Sequence, residues 1–410
     1  MGLNDKPSSE RLHIGFFGLR NAGKSSVVNA ITGQRMSLVS EVKGTTTDPV
    51  QKVMELLPLG PVVIIDTPGI DDEGSLGKMR ADRARRMLDK TDIAVLVVDA
   101  TKGIQETDEE LCEIFKKRKL PYIIAYNKCD LVNPEGLSKE NEINISAKKG
   151  FGIYELKEFI GKITGNFNSK KLLVGDLVEP HDVVVLVTPI DESAPKGRMI
   201  LPQQQVIRDI IDVGAISLVT KDTELSLAMS SLVKPPKIVI TDSQVFGKVN
   251  EIVPDNVLLT SFSILFARYK GELEQMVLGA MKISELEDGD VVLISESCTH
   301  HRQCNDIGSV KLPGWITEYT HKNLYFEFTS GGDFPDNLEK YSLIVHCGAC
   351  MINKREMNYR INCAQENNVS ITNYGIAIAK MHGILERSLS PFPELIQKIK
   401  LSKTINNDLC

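Results

Sequence analysis

The sequence predicts an α/β protein in three parts, and three observations carry that expectation. Short β-branched runs alternate with longer amphipathic stretches in the first third, the alternation breaks at a polar stretch and then restarts, and five of the eight cysteines fall between Cys298 and Cys363. Alternation of this kind places strands in a mainly parallel sheet covered by helices. A chain of 410 residues is also too long for one small core.

Residues 14–17, 62–65, 93–98 and 122–125 read as buried strands of the first part, which closes with a helix over 153–163. The stretch from Thr164 to Lys171 is made of loop formers and marks a boundary. Beyond it, strands are expected at 183–187, 215–219 and 238–241, with helices at 203–211 and 225–232, giving a second, smaller α/β unit. The Pro254-Asp255-Asn256 turn leads into an apolar stretch over 257–269, and the second boundary is placed near Arg268. The remainder offers strands at 291–294 and 342–345 and helical C-terminal segments. The expected domains are therefore 1–170, 171–267 and 268–410.

Lys and Arg number 48 against 54 Asp and Glu, a formal net charge of −6, and no part is basic: 25 basic to 24 acidic residues over 1–170, 8 to 12 over 171–265, and 15 to 18 over 266–410. Nucleic-acid affinity comes largely from phosphate neutralisation by Lys and Arg, so no nucleic-acid partner is expected. The N-terminal residues Met1 to Leu12 are polar, and no stretch supplies the roughly 18 uninterrupted apolar residues of a membrane span. A cytoplasmic protein without a membrane partner is expected. Eight cysteines are too sparse for a disulfide scaffold, whereas clustered thiols in a reducing compartment bind metal or do redox chemistry.

Directly after the first strand comes Gly18-Leu19-Arg20-Asn21-Ala22-Gly23-Lys24-Ser25, a phosphate-binding loop in its required place between strand and helix. Its glycines let backbone N–H groups curl around phosphates, Lys24 reaches the β- and γ-phosphate oxygens, and Ser25 supplies a hydroxyl to Mg²⁺. Ala22, Gly23 and Ser26 complete the stretch expected against the nucleotide. Base identity is read later. Asn127-Lys128-Cys129-Asp130 follows a strand, where the Asp130 carboxylate accepts two hydrogen bonds that guanine offers and adenine does not. Asn127 holds the base edge and the loop, the Lys128 stem covers the ring, and Ser146-Ala147-Lys148 offers a backbone N–H to the guanine carbonyl. Asp66-Thr67-Pro68-Gly69 puts a carboxylate at a strand end to hold Mg²⁺ through water and a glycine N–H near the γ-phosphate. Between them, Gly44-Thr45-Thr46-Thr47-Asp48 is a hydroxyl-rich loop suited to closing over Mg²⁺ when the triphosphate is bound.

These five blocks resemble those of the translation-factor-related GTPases, in the branch of the tRNA-modification GTPase and the Era-like proteins, over residues 12 to about 165. The resemblance implies GTP as ligand, Thr46 as the Mg²⁺ ligand among the three threonines, and Asn21 as the position where potassium-activated members help bind K⁺. Lys24, Thr46, Asp66 and Gly69 are the residues expected to act in hydrolysis. Where Ras-like switches carry a water-orienting glutamine this chain has Ile70, followed by Asp71, Asp72 and Glu73. An apolar side chain cannot position water, so hydrolysis is expected to be slow until K⁺, one of these acids or a partner surface completes the site.

The last third contains Cys298-Thr299-His300-His301-Arg302-Gln303-Cys304 and His346-Cys347-Gly348-Ala349-Cys350, each after an expected strand. Strand ends converge on one sheet edge, so the two loops can meet. Cys347 and Cys350 have the spacing that lets both sulfurs face one metal, and Cys298 supplies a third thiolate. Zn²⁺ and an iron-sulfur cluster both accept such a set. His300 and His346 remain alternatives for the fourth position, and Cys363 is read as buried. Joined to an Era-like GTPase, this pattern resembles the FeFe-hydrogenase maturation GTPases, the HydF family, over essentially the whole chain. The resemblance implies a P-loop GTPase domain, a small α/β dimerisation domain giving a homodimer, and an α/β domain holding a 4Fe-4S cluster on Cys298, Cys347 and Cys350. It further implies a scaffold that receives a transient di-iron precursor made with radical-SAM maturases and delivers it to apo FeFe-hydrogenase. The rival expectation is an RNA- or ribosome-associated GTPase with a C-terminal structural zinc site.

Overall fold

A computed structural model of the chain describes residues 7–33, 50–56, 59–67, 86–132, 140–165, 172–190, 199–297, 306–335 and 337–407. The chain forms two compact units, Met1–Lys170 and Lys171–Cys410. No helix among the described residues is long and apolar enough to cross a membrane.

In the first unit, strands β1 (Leu12–Phe17), β2 (Val50–Leu56), β3 (Gly60–Asp66), β4 (Ile93–Asp99), β5 (Tyr122–Asn127) and β6 (Glu142–Asn144) form a sheet of order β2-β3-β1-β4-β5-β6. Only β2 runs antiparallel, against β3. The central strands are near-continuous apolar runs because both faces are covered. One face packs Ile14, Phe16, Ile64, Val95 and Ile123 against Val27 and Ile31 of helix α1 (Lys24–Thr32) and Leu156 and Ile160 of a later helix. The other packs Phe17, Leu96 and Val98 against Leu111 and Phe115 of helix α2 (Glu106–Lys117). That helix starts with Glu106, Asp108 and Glu109 and ends with Lys116 and Lys117, the distribution that complements its dipole. The later helix is α3 (Ile153–Gly165).

The second unit holds two parallel sheets. The first, of order β10-β9-β7-β8, comprises β7 (Val183–Val187), β8 (Ile216–Thr220), β9 (Ile238–Thr241) and β10 (Leu258–Ser261). The second, of order β12-β11-β13-β14, comprises β11 (Val291–Ser295), β12 (Tyr325–Thr329), β13 (Leu343–His346) and β14 (Ser370–Asn373). Helix α4 (Leu201–Asp212) covers the first sheet, helix α5 (Phe262–Lys270) lies between the two, and helix α6 (Leu273–Met281) packs on the strand Ser370–Asn373 of the second, with Gly279 against the Ile371 backbone. One apolar cluster runs from Val184, Leu186 and Ile240 through Phe262, Leu265, Phe266 and Val277 to Leu293, Ile344 and Ile371. The two sheets therefore share a core. The apolar stretch over 257–269 divides at Ser261, which ends β10 and caps α5 by accepting the N–H of Ile264 at 3.3 Å. Arg268 lies inside α5, near the end of that helix.

Candidate functional site

Strand registers bring three groups to the carboxyl edge of the first sheet. Phe16 pairs with Asp66 across β1 and β3, and Asp99 pairs with Asn127 across β4 and β5. The phosphate-binding loop follows β1 and enters α1 through Gly23, whose left-handed φ of 92° and close approach exclude a side chain: a Cβ there would lie 2.3 Å from Asn127 Nδ2. Gly18, with φ of 133°, is confined in the same way against the carbonyl of Val97. Lys24 is buried, and its Nζ donates to the carbonyls of Gly18 at 2.9 Å and Leu19 at 2.8 Å, spanning the loop from inside.

Ser25 Oγ donates to Asp66 Oδ2 at 3.0 Å, while Asp66 Oδ1 is buried without a hydrogen-bond partner. Burial raises the Asp66 carboxyl above its ordinary value, with the Ser25 hydrogen bond and the Lys24 charge opposing. A hydroxyl, a carboxylate and an orphaned buried oxygen fit a divalent cation with oxygen ligands. Ser26 is exposed on the first turn of α1. Gly44 to Asp48, including Thr45 and Thr46, lie outside the described residues, as do Gly69 and Ile70 to Glu73.

Asn127 is 3 % exposed and joins two loops. Its Nδ2 donates to the Ala22 carbonyl at 2.9 Å, and its Oδ1 accepts from the Ala147 N–H at 3.0 Å. Within the 146–148 block, the Ala147 N–H is thus engaged by Asn127. Lys128 Nζ donates to the Asn21 carbonyl at 2.9 Å and to Asp99 Oδ2 at 2.5 Å. Asp130 is exposed and accepts from Ser146 Oγ at 2.6 Å, the main reason its carboxyl is held below the ordinary value. Lys148 is exposed, and Asn21 adopts a left-handed φ of 64°. Asp99 was not expected. Burial alone would raise it, but hydrogen bonds from Lys128 and Thr101 bring it below its ordinary value.

In the second unit the register Ser295↔His346 sets the end of β11 beside the end of β13. The next residues stay together: the Ser297 N–H and Oγ each lie 3.1 Å from Cys347 Sγ. Cys347 and Cys350 form no disulfide among the described residues. Burial, aided by the neighbouring Cys347, pushes the Cys350 thiol up to about 11, with the Lys270 charge opposing. Coordination by a cation reverses that balance, because a ligating thiol is deprotonated. Cys298, His300, His301 and Cys304 lie outside the described residues, and within those described no group of three or more His, Cys, Asp or Glu assembles a metal site.

His346 takes another place. It is fully buried, its Nδ1 lies 2.8 Å from the Cys347 carbonyl, and its Nε2 lies 3.0 Å from Arg360 Nη1. Arg360 can only donate, so Nε2 is the acceptor and Nδ1 carries the proton. Burial and the Arg360 charge lower the ring to about 3, keeping it neutral. Arg360, 1 % exposed on helix α7 (Lys354–Glu366), also donates to Glu356 Oε1 at 2.8 Å and the Gly331 carbonyl at 2.8 Å. Both ring nitrogens of His346 are thus engaged within the fold. Cys363 is half-buried against the core rather than fully buried. Cys112 and Cys129 lie in the first unit, each raised by burial.

The second unit matches two consecutive family models, the hydrogen maturase F dimerization domain over residues 173–271 and the hydrogen maturase F tetramerization domain over 274–391. The chain belongs to the hydrogen maturase F family. Its first unit matches a 50S ribosome-binding GTPase model over residues 13–128 and carries the P-loop GTPase fold. GTPase Der of Wolinella succinogenes is 35% identical over 184 residues, which are 41% of this chain and 38% of that protein. The tRNA modification GTPase MnmE of Acetivibrio thermocellus is 29% identical over 209 residues, 48% of this chain and 44% of that protein. The chain spans between 38% and 54% of the length of such curated relatives. A probable GTP-binding protein engB of known structure is 24% identical and covers 38% of this chain and 99% of its own, with a TM-score of 0.32.

Proposed function

We propose that this hydrogen maturase F chain hydrolyses GTP, holds a 4Fe-4S cluster on Cys298, Cys347 and Cys350, and carries a di-iron precursor to apo FeFe-hydrogenase. The observation that carries the cluster half is the contact of Ser297 with Cys347 Sγ at 3.1 Å, because Ser297 immediately precedes Cys298 in the chain. A third thiol one residue from that contact, with Cys350 three residues after Cys347, gives a donor set of the right kind and number. When bound, the cluster supplies an iron with a replaceable ligand, the chemistry a carrier requires. With both His346 nitrogens bonded within the fold, His300 is the other of the two candidate histidines for that exchangeable place.

In the nucleotide half, Lys24 neutralises the β- and γ-phosphates, Ser25 and Asp66 hold Mg²⁺ with Thr46, and the Gly69 N–H faces the γ-phosphate. Asn21 contributes to a K⁺ site that stimulates an otherwise slow hydrolysis. Asn127, Lys128, Asp130 and the 146–148 backbone select guanine. Nucleotide state then biases conformation or partner choice, so hydrolysis is a switch. The proposed functional division is 1–170, 171–267 and 268–410, with dimerisation through the middle segment, partners among radical-SAM maturases, and a cytoplasmic location.

The test is anaerobic reconstitution with iron and sulfide. Reduced protein is expected to give a 4Fe-4S electron paramagnetic signal that disappears in Cys298→Ser, Cys347→Ser or Cys350→Ser. Stoichiometric zinc with no bound iron would instead favour a ribosome-associated GTPase with a structural zinc site.

A further inference from the structure

Lys270 is the last residue of α5, and it is 1 % exposed. A lysine is rarely buried to that degree without partners for its three donors. Here they face one loop. Nζ lies 3.2 Å from the Ala349 carbonyl, 3.4 Å from the Cys350 carbonyl and 2.9 Å from the Ile352 carbonyl. That loop carries Cys347 and Cys350 between β13 and α7, and it turns at Ala349 with a left-handed φ of 55°, a conformation that a residue with a Cβ adopts only when held. Ser297 grips the loop at Cys347, and Asn353 ends it by capping α7 through the Glu356 N–H at 2.9 Å. Lys270 grips the stretch between them.

We propose that Lys270 is a positioning residue of the thiol centre: its buried ammonium fixes the loop that carries Cys347 and Cys350 and sets a positive charge beside their thiolates. The inference rests on the metal-thiolate reading above and adds two consequences to it. Held carbonyls keep both sulfurs aimed together, which slows metal loss. A fixed cation in a low-dielectric interior favours the more negative, reduced form of the cluster, which raises its potential. Because α5 lies between the two sheets of the unit, the same lysine ties the thiol loop to the middle segment.

The test uses the full chain with Lys270→Met, Lys270→Gln and Lys270→Arg. After reconstitution, Lys270→Met is expected to release iron to a chelator about tenfold faster or more, the usual effect of removing a residue that orients a metal ligand. Its midpoint potential, read by redox titration of the paramagnetic signal, is expected to fall. Lys270→Gln keeps a donor without the charge, so it carries the potential measurement even if Lys270→Met does not fold. Lys270→Arg is expected to restore the potential. Unchanged potentials in Lys270→Gln, or no recovery in Lys270→Arg, would overturn the electrostatic role. A parallel arm loads the apo proteins with Co²⁺ and follows the thiolate charge-transfer absorption during chelation. Wild-type protein that takes up no iron sinks the cluster reading, whereas equal Co²⁺ release rates in wild type and Lys270→Gln sink the positioning role.

Discussion

Asn127 joins the loop proposed to bind phosphate to the loop proposed to read the base, and Asn127→Ala tests that coupling. The side chain is 3 % exposed and makes two hydrogen bonds, to the Ala22 carbonyl at 2.9 Å and from the Ala147 N–H at 3.0 Å. Truncation removes both and leaves a carbonyl and an N–H without their partner, each worth about 1–2 kcal/mol. The sum is about 2–4 kcal/mol, borne by the geometry of the two loops. If the loops must be in register to bind nucleotide, that energy appears as lost affinity, roughly 30-fold to several hundred-fold at about 1.4 kcal/mol per decade. The assay is titration of fluorescent GTP with stopped-flow dissociation, where the loss is expected mainly in the off-rate. Circular dichroism confirms that the first unit remains folded. An affinity within about threefold of wild type in a folded variant would refute the claim that this bridge couples the loops.

Three further outcomes follow from the same geometry. Asp130→Asn should weaken GTP binding and relax its preference over xanthine nucleotide in competition assays; retained guanine selectivity contradicts the role given to this carboxylate. Lys128→Met and Asp99→Asn should each weaken GTP binding, and the double variant should lose less than the sum, because the 2.5 Å pair is one interaction; additive losses count against it. Arg360→Met should destabilise the second unit by about 3–5 kcal/mol in denaturant unfolding, since it removes the ion-pair partner 2.8 Å from the buried Glu356 carboxylate, and Arg360→Met with Glu356→Gln should recover part of that loss.

What could be read from the sequence depended on whether the signal was local. Strands β7 and β9 appear residue for residue where expected, because strands buried on both faces are runs of Val, Ile and Leu. Five strands were not anticipated: β2 and β12 carry charged or exposed residues at sheet edges, β6 and β14 are only three and four residues long, and β10 is hidden in the apolar stretch over 257–269, which continues into a helix without a break in hydropathy. The phosphate-binding loop and the Asn127–Asp130 block stand out as motifs because each is a contiguous stretch. Asp99, Ser297, Arg360 and Lys270 do not, since what they do is decided by register and by helix packing between distant segments. Asp99 did leave a signal: an acid at the end of a buried strand, next to the strand that delivers Asn127. Lys270 left none, for a lysine at the end of a helix ordinarily reads as a solvated cap.

The two lysines that organise the loops make the physical difference between the sites clear. Lys24 and Lys270 are both buried, and both donate to backbone carbonyls of a loop that follows a parallel strand. Lys24 opens α1 directly after the loop that bends at Gly18 and Gly23, and under the proposed function arriving phosphates would offer its ammonium charged acceptors stronger than the carbonyls of Gly18 and Leu19. Its contacts would then be exchangeable, and the loop would respond to nucleotide. Lys270 is shut inside the shared core with three carbonyls of a thiol-bearing loop, and the proposed thiolate centre, a diffuse anion, would attract the charge without displacing those bonds. The first arrangement suits a site that must cycle. The second suits one that must hold its ligands still while something else at the metal is exchanged.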